Sequence, residues 1–326
     1  MRSSRFLTAT GAIAAGAAAL AHAVYRKDLD AARRRIAEGR IIDAGHGPVE
    51  FAESGDGPPA LVIHGAGGGF DQGLELGRAL LGDGYRVIAP SRFGYLGTPL
   101  PTDASAEAQA DAHLWLLDAL RLGTLPVIGV SAGAPSALQL CLKYPERCSA
   151  LVLVVPLAWA PDCSTAAPSP FFETVLDAIT ASDFLYWAAT RVARLTLLKT
   201  ILGTPVSDYR YAMPEERRNV DRVLASILPI SRRAAGIRND SAVSVNLTRY
   251  ALENLRVPTL VISAADDLYG TCERGRYTAE QVPGAQFVRF PTGGHLLLGH
   301  DTEARGLIGR FLTEHAEAME RRVTAG

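Results

Sequence analysis

The chain has 326 residues, 48% hydrophobic and 7% aromatic, with a net charge of −1 at neutral pH. That is enough for one large α/β domain with an insertion, and it excludes the strongly basic field of a nucleic-acid binder. Four cysteines, Cys141, Cys148, Cys163 and Cys272, show neither C-x-x-C nor Cys/His ligand spacing, so they read as free thiols with no structural metal and no disulfide framework.

Phe6 to Val24 is a run of nineteen residues without a charge, preceded by Arg2 and Arg5 and followed by Arg26 and Lys27. That length just spans a hydrocarbon core of roughly 30 Å, although alanine, glycine and threonine dominate it. Two readings compete. Ala21-His22-Ala23 has the small residues of a signal-peptide cleavage site, which would make the protein an exported one. Alternatively the helix stays, continues through the Asp28–Arg35 stretch and stops near Gly39, supported by the Asp30/Arg34 spacing. The basic residues after the run outnumber those before it, which opposes export. The expectation is therefore membrane association through Phe6–Val24, with residues 1–39 forming an anchor and a basic helix beside the membrane.

Arg40-Ile41-Ile42-Asp43, a turn at Gly45-His46-Gly47, and Val49-Glu50-Phe51-Ala52 predict a hairpin. Apolar runs then alternate with helical segments. The expected strands are Ala60–Ile63, Tyr85–Ala89, Leu125–Val130, Leu151–Val155, Leu260–Ser263 and Gln286–Phe290. The expected helices are Leu74–Leu81, Ala106–Leu120, Ala134–Tyr144 and, last, Glu303–Ala318. Continuous apolar strands separated by helices indicate an α/β fold with a mostly parallel sheet buried on both faces. Between about Leu157 and Leu255 the alternation stops and only helical patterns remain, opened by Pro161, Pro168 and Pro170. The division expected is a core of residues 40–156 plus 255–326, with a helical cap over 157–254. The cap is rich in apolar side chains, among them Phe171, Phe172, Phe184 and Trp187. Most of these should pack the cap onto the core, and a few would line an acyl or alcohol pocket.

Gly129-Val130-Ser131-Ala132-Gly133 lies between an apolar strand and a small-residue helix, the setting of a nucleophile elbow. Gly129 and Gly133 allow strand and helix to approach closely, and Ser131 is pushed into a strained, exposed conformation. The competing reading is an ordinary Gly-Ser turn between core elements. The first parallel strand runs into His64-Gly65-Ala66-Gly67-Gly68-Gly69. This loop lacks the Lys-Ser/Thr of a P-loop and the spacing of a dinucleotide fingerprint, but it offers amides for an oxyanion hole. Ala264-Ala265-Asp266-Asp267 follows a buried strand, and Gly293-Gly294-His295 follows the last one. Carboxylates there sit at the edge where α/β proteins bind ligands, and an imidazole titrates close to neutral pH. Each piece has a plainer counterpart: Asp267 as a helix cap, His295 as a satisfied loop histidine. The order serine, acid, histidine makes their coincidence improbable.

These segments, with Ala89-Pro90-Ser91-Arg92-Phe93-Gly94-Tyr95 and Tyr144-Pro145-Glu146-Arg147, resemble the α/β-hydrolase superfamily, in its branch with an HG-x-G loop, a G-x-S-x-G elbow and a helical cap. The resemblance covers roughly Gly39 to His315 and almost none of the cap. It implies Ser131 as nucleophile, Asp267 as acid, His295 as base, and the Ala66 and Ala132 amides as oxyanion hole, with His64, Gly65, Gly67, Gly129 and Gly133 supporting them. In the family the acid usually falls three residues after a glycine; Ala264 stands in that place, which favours Asp267 over Asp266. His300 is a second histidine nearby, without the Gly-Gly-His context. A serine at the elbow argues against epoxide hydrolases and dehalogenases. The implied activity is hydrolysis of a carboxylic ester of a small apolar substrate through an acyl-enzyme, with no cofactor. Alternatives on the same triad are a carbon–carbon bond hydrolase, a thioesterase or lactonase and, further off, a perhydrolase of the haloperoxidase kind. A non-catalytic binding module is the reading from another class.

Overall fold

A computed structural model describes residues 2–43, 47–161, 163 and 170–324. The predicted turn residues Gly45 and His46, and Pro168 at the start of the insertion, lie outside the described residues, as do the side chains of Phe171 and Phe172. Eight strands form one sheet in the order β1-β2-β4-β3-β5-β6-β7-β8. They are β1 (Arg40–Asp43), β2 (Pro48–Ser54), β3 (Pro59–Ile63), β4 (Arg86–Pro90), β5 (Leu125–Val130), β6 (Cys148–Val154), β7 (Thr259–Ala264) and β8 (Gln286–Phe290). The hairpin β1–β2 pairs antiparallel and joins β4 antiparallel, whereas β4-β3-β5-β6-β7-β8 is parallel throughout. The twelve α-helices in the described residues are α1 (Arg2–Ile36), α2 (Phe70–Leu81), α3 (Ala106–Ala119), α4 (Ala134–Lys143), α5 (Pro170–Ala181), α6 (Asp183–Val192), α7 (Arg194–Thr200), α8 (Val206–Tyr211), α9 (Pro214–Ser226), α10 (Ala234–Val245), α11 (Thr271–Gln281) and α12 (Asp301–Thr324). This is the fold class expected from the alternation.

Side chains alternate across each strand, and the parallel strands accordingly feed two cores. Leu61, Ile63, Val127, Leu151 and Leu153 pack with α3 and α4 on one face. Ala60, Val62, Ile128, Val130 and Val152 pack with α2 and α12 on the other. Burial on both faces is why these strands read as continuous apolar runs. Element ends differ where a distant group acts as a cap. The spacing predicts α2 from Leu74, yet it begins at Phe70, whose amide donates to Ser91 Oγ at 3.1 Å. A cap supplied from 21 residues away leaves no local start signal.

Helices α5 to α10 all lie between β6 and β7, and the described residues of that stretch contain no strand. The N-terminal expectation needs correction. Phe6–Val24 is part of one helix, α1, but among the described residues no helix is long and apolar enough to cross a membrane. The alanine, glycine and threonine of the run contribute too little transfer free energy for an anchor. The second half of α1 is instead docked on the protein itself: Leu29 and Ala32 are buried, and Tyr25 packs edge-on against Phe184 and Trp187 of α6. Asp28 accepts from Trp187 Nε1 at 2.9 Å, and Arg35 Nε donates to Asp71 of α2 at 2.9 Å. Anchoring in a membrane through Phe6–Val24 is thereby overturned.

Candidate active site

Strands β3, β5, β7 and β8 end on the same edge of the sheet, so the loops that follow them meet there. Ser131 follows β5 directly and has φ = 52°, a left-handed backbone that an L-residue adopts only under constraint. The constraint is the packing of the turn. A Cβ on Gly133 would lie 2.6 Å from the Ile63 carbonyl and 2.7 Å from that of His64, both backbone atoms that cannot move aside. Gly133→Ala is therefore expected to yield little folded protein, by soluble yield and thermal unfolding; a folded variant with normal stability would contradict this packing. A Cβ on Gly65 would lie 3.1 Å from Ser131 Cβ, which sets the glycine-rich loop directly against the serine. Ala66 is exposed at the crest of that loop, whereas Ala132 is buried behind the serine at the entry to α4.

His295 follows β8. Its Nε2 is 2.8 Å from Ser131 Oγ and its Nδ1 is 2.8 Å from Asp267 Oδ2. With a carboxylate that only accepts, the consistent proton arrangement has Nδ1–H donating to Asp267 and Ser131 Oγ–H donating to Nε2. Asp267 is buried and amply hydrogen-bonded: Oδ1 accepts from the Tyr269 amide at 2.8 Å, and Oδ2 accepts from the Thr271 hydroxyl. Tyr269 meets the imidazole edge-on, with centroids 4.9 Å apart. The two alternatives fall elsewhere. Asp266 Oδ1 accepts from the Gly294 amide at 2.9 Å and so shapes the histidine loop. His300 stacks on Phe290 with centroids 4.1 Å apart.

Several polar groups around the site carry no motif signal. Asp208 of α8 accepts from the Gly293 amide at 3.2 Å. Burial, then its neighbour Asp266, raises its carboxyl above the usual range. Arg92 and Tyr95 lie in a motif segment, but their partner Asp240 sits in α10. Arg92 Nη1 and Nη2 donate to the two Asp240 oxygens at 2.7 and 2.6 Å, and Tyr95 Oη–H donates to Oδ2 at 2.5 Å. Burial works against the charge on Arg92, and Asp240 more than offsets it. Among the described residues no group of three or more His, Cys, Asp or Glu side chains could hold a metal ion.

His64 is a support, fully buried. Nδ1–H donates to Gly65 O at 2.7 Å, and Nε2 accepts from the Arg92 amide at 2.9 Å, an arrangement only the neutral imidazole can make. Burial, reinforced by Arg92, pushes its pKa well below the ordinary histidine value. His113 of α3 lies 3.2 Å from Ser136 Oγ, and burial lowers its pKa to about 3. A histidine lowered in the folded state stabilises fully above its unfolded pKa of about 6.5, and that contribution is lost as pH falls below it. For His113 the loss runs from about 6.5 down to about 3, at about 1.4 kcal/mol per pH unit. Buried His64 adds a loss of the same sign in both proteins, so in urea unfolding between pH 6.5 and 5 the wild type should lose about 1.4 kcal/mol per pH unit more than His113→Gln; equal slopes in the two would refute it.

A family model described as alpha/beta hydrolase fold matches residues 58–301, which takes in the glycine-rich loop, the elbow and the acid and histidine loops. The chain belongs to the α/β-hydrolase fold family. Among its relatives, RutD of Klebsiella pneumoniae (strain 342), which carries the name of a carbamate hydrolase, is 31% identical over 259 residues, covering 73% of this chain and 85% of that protein. The 2-hydroxymuconate semialdehyde hydrolase of Pseudomonas sp. (strain CF600) is 26% identical over 284 residues, covering 85% of this chain and 94% of that one. A solved alpha/beta hydrolase fold protein from Nakamurella multipartita superposes with a TM-score of 0.67 at 27% identity, over 84% of this chain and 98% of that chain. Family and relatives agree on hydrolysis, and this α/β-hydrolase is a hydrolase.

Proposed function

We propose that this hydrolase cleaves a carboxylic ester of a small apolar substrate through an acyl-enzyme on Ser131. The observation that carries the reading is the hydrogen-bonded relay from Ser131 Oγ through His295 to the buried Asp267, each step 2.8 Å. Nε2 of His295 takes the hydroxyl proton as Oγ bonds to the acyl carbon. The carbonyl oxygen becomes an anion held by the Ala66 and Ala132 amides, contacts worth about 3–4 kcal/mol each. Asp267 holds Nδ1–H in place and stabilises the imidazolium. The same proton then passes from Nε2 to the departing alcohol oxygen, leaving the acyl group on Ser131. Water deprotonated by His295 attacks that ester, and the proton returns to Oγ as the acid leaves. The positive φ of Ser131 and the abutment of Gly65 support this reading.

A second reading has its own support. The similarity to a hydrolase named for 2-hydroxymuconate semialdehyde, a carbonyl compound and not an ester, favours carbon–carbon bond hydrolysis of a β-diketone-like substrate on the same three residues. The carbamate in the name of RutD is itself an acyl compound. Kinetics on p-nitrophenyl esters of graded chain length, beside an aryl carbamate and a β-diketone, tests the choice. The ester reading expects the highest kcat/KM on a short or medium ester. A diketone or carbamate turned over faster than every ester would replace it.

A further inference from the structure

The loop from Gly65 to Gly69 contains four glycines, and a glycine-rich backbone loses more conformational freedom on ordering than any other. Its amides can hold an anion only if the loop is already in shape when charge develops. The bonds that shape it come from two directions. From the core, the Gly65 amide donates to Gln72 Oε1 at 3.1 Å, and the Gly68 amide donates to Gly65 O at 3.4 Å. From the other side, the Gly67 amide donates to Tyr95 Oη at 3.2 Å, while Tyr95 is tied to Asp240 of α10. Gly68 O accepts from Nη1 of Arg233, the residue just before α10. These last two contacts hold the two residues that follow Ala66, and both depend on the inserted helices.

Arg233 is fully buried, and its five N–H groups are all engaged. Nε donates to Ile227 O at 3.0 Å. Nη1 donates to Gly68 O and, at 3.1 Å, to Asp71 Oδ1. Nη2 donates to Asp71 Oδ2 at 2.8 Å and to Ser226 O at 3.0 Å. Burial opposes the charge on Asp71, but Arg233 and then Arg35 outweigh it and hold that carboxyl below its usual range. Arg35 reaches in from α1 and also donates to the Ser226 and Leu228 carbonyls at 2.9 and 2.8 Å. Ile227 side-chain atoms lie 3.5 to 3.7 Å from where a Gly67 Cβ would be. A guanidinium taken wholly out of water is costly unless every donor is placed. One of these five donors is spent on the loop carbonyl two residues past Ala66.

We infer that the helical insertion sets the oxyanion loop, with Arg233 directly and Asp240 through Tyr95 acting as positioning residues for the Ala66 amide. This rests on the acyl-transfer reading above. Movement of the insertion away from the core would slacken the loop, so anion stabilisation and closure over the substrate are coupled through these two contacts.

The test uses the full chain with Tyr95→Phe and Arg233→Lys, which keep ring and charge but lose the loop contacts. Hydrogen exchange of the 65–69 amides reads loop order directly. The rate of fluorophosphonate labelling at Ser131, with kcat and KM on the best ester, reads its consequence. Exchange of the loop should accelerate at least tenfold while β5 and β6 stay protected. Labelling and kcat should fall about 10- to 100-fold with KM little changed, because the oxyanion exists only beyond the ground state. Wild-type loop exchange in folded Tyr95→Phe overturns the inference, as does unchanged kcat with a loosened loop. If Arg233→Lys fails to fold, Tyr95→Phe alone decides. A wild type that neither labels nor turns over any acyl substrate would instead defeat the hydrolytic reading, while loop exchange would still judge the contacts.

Discussion

Ser131→Ala should lower turnover of the best acyl substrate by a factor on the order of 10⁶, and His295→Ala by about the same. Ser131 Oγ meets Nε2 of His295 at 2.8 Å, and in the proposed reaction neither group works without the other. The double variant should therefore lose no more than either single one. Asp267→Asn should cost less, about 10⁴, since it leaves the imidazole in place but favours the wrong tautomer. Alanine removes one oxygen from a half-buried position and keeps the Cβ that already bears the φ of 52°, so thermal unfolding of Ser131→Ala should stay near that of the wild type. Ester hydrolysis and loss of fluorophosphonate labelling make the measurement. A folded Ser131→Ala protein retaining more than a tenth of the activity would remove Ser131 from the mechanism.

The second large effect is on stability. Asp240→Ala leaves the Arg92 guanidinium buried without its bidentate partner, and the Tyr95 hydroxyl without its acceptor. Breaking such a pair from one side costs about 3–5 kcal/mol, because the remaining charge is stranded rather than because the pair is strong. Asp240→Leu combined with Arg92→Met should recover most of that loss, since it removes the stranded charge and leaves only the Tyr95 hydroxyl without its acceptor. Urea unfolding midpoints with unchanged slope are the readout. A single variant as stable as the wild type would show that water reaches this pair and that the insertion is not locked there.

The parts legible in the chain are the local ones. An elbow is five consecutive residues between a strand and a helix, and each buried strand is a short apolar run, so Ser131, the glycine loop and the places of the parallel strands along the chain can all be read without knowing what lies across space, whereas the exchange of β3 and β4 in the sheet cannot. The cap on α2 could not, because Ser91 Oγ supplies it from outside the helix. The N-terminal run misled for a related reason. Absence of charge suggested a lipid environment, but length without sufficient apolarity does not make a span. What α1 does contact, Trp187 and Asp71, is spread over the chain.

By itself the sequence determined the fold class, the nucleophile candidate and the edge of the sheet on which an acid and a histidine must fall, because these follow from short-range pattern and chain order. Asp266 and Asp267 are neighbours with the same side chain, and only the tertiary structure separates them: one is turned to the Gly294 amide, the other to His295 Nδ1. It alone also brings Asp240 to Arg92 across 148 positions and Arg233 to Gly68 across 165. Those partners lie in the insertion, where no motif constrains the spacing. A buried charge finds its counter-charge by proximity in the folded chain, and proximity of that kind leaves no period or pattern in the sequence.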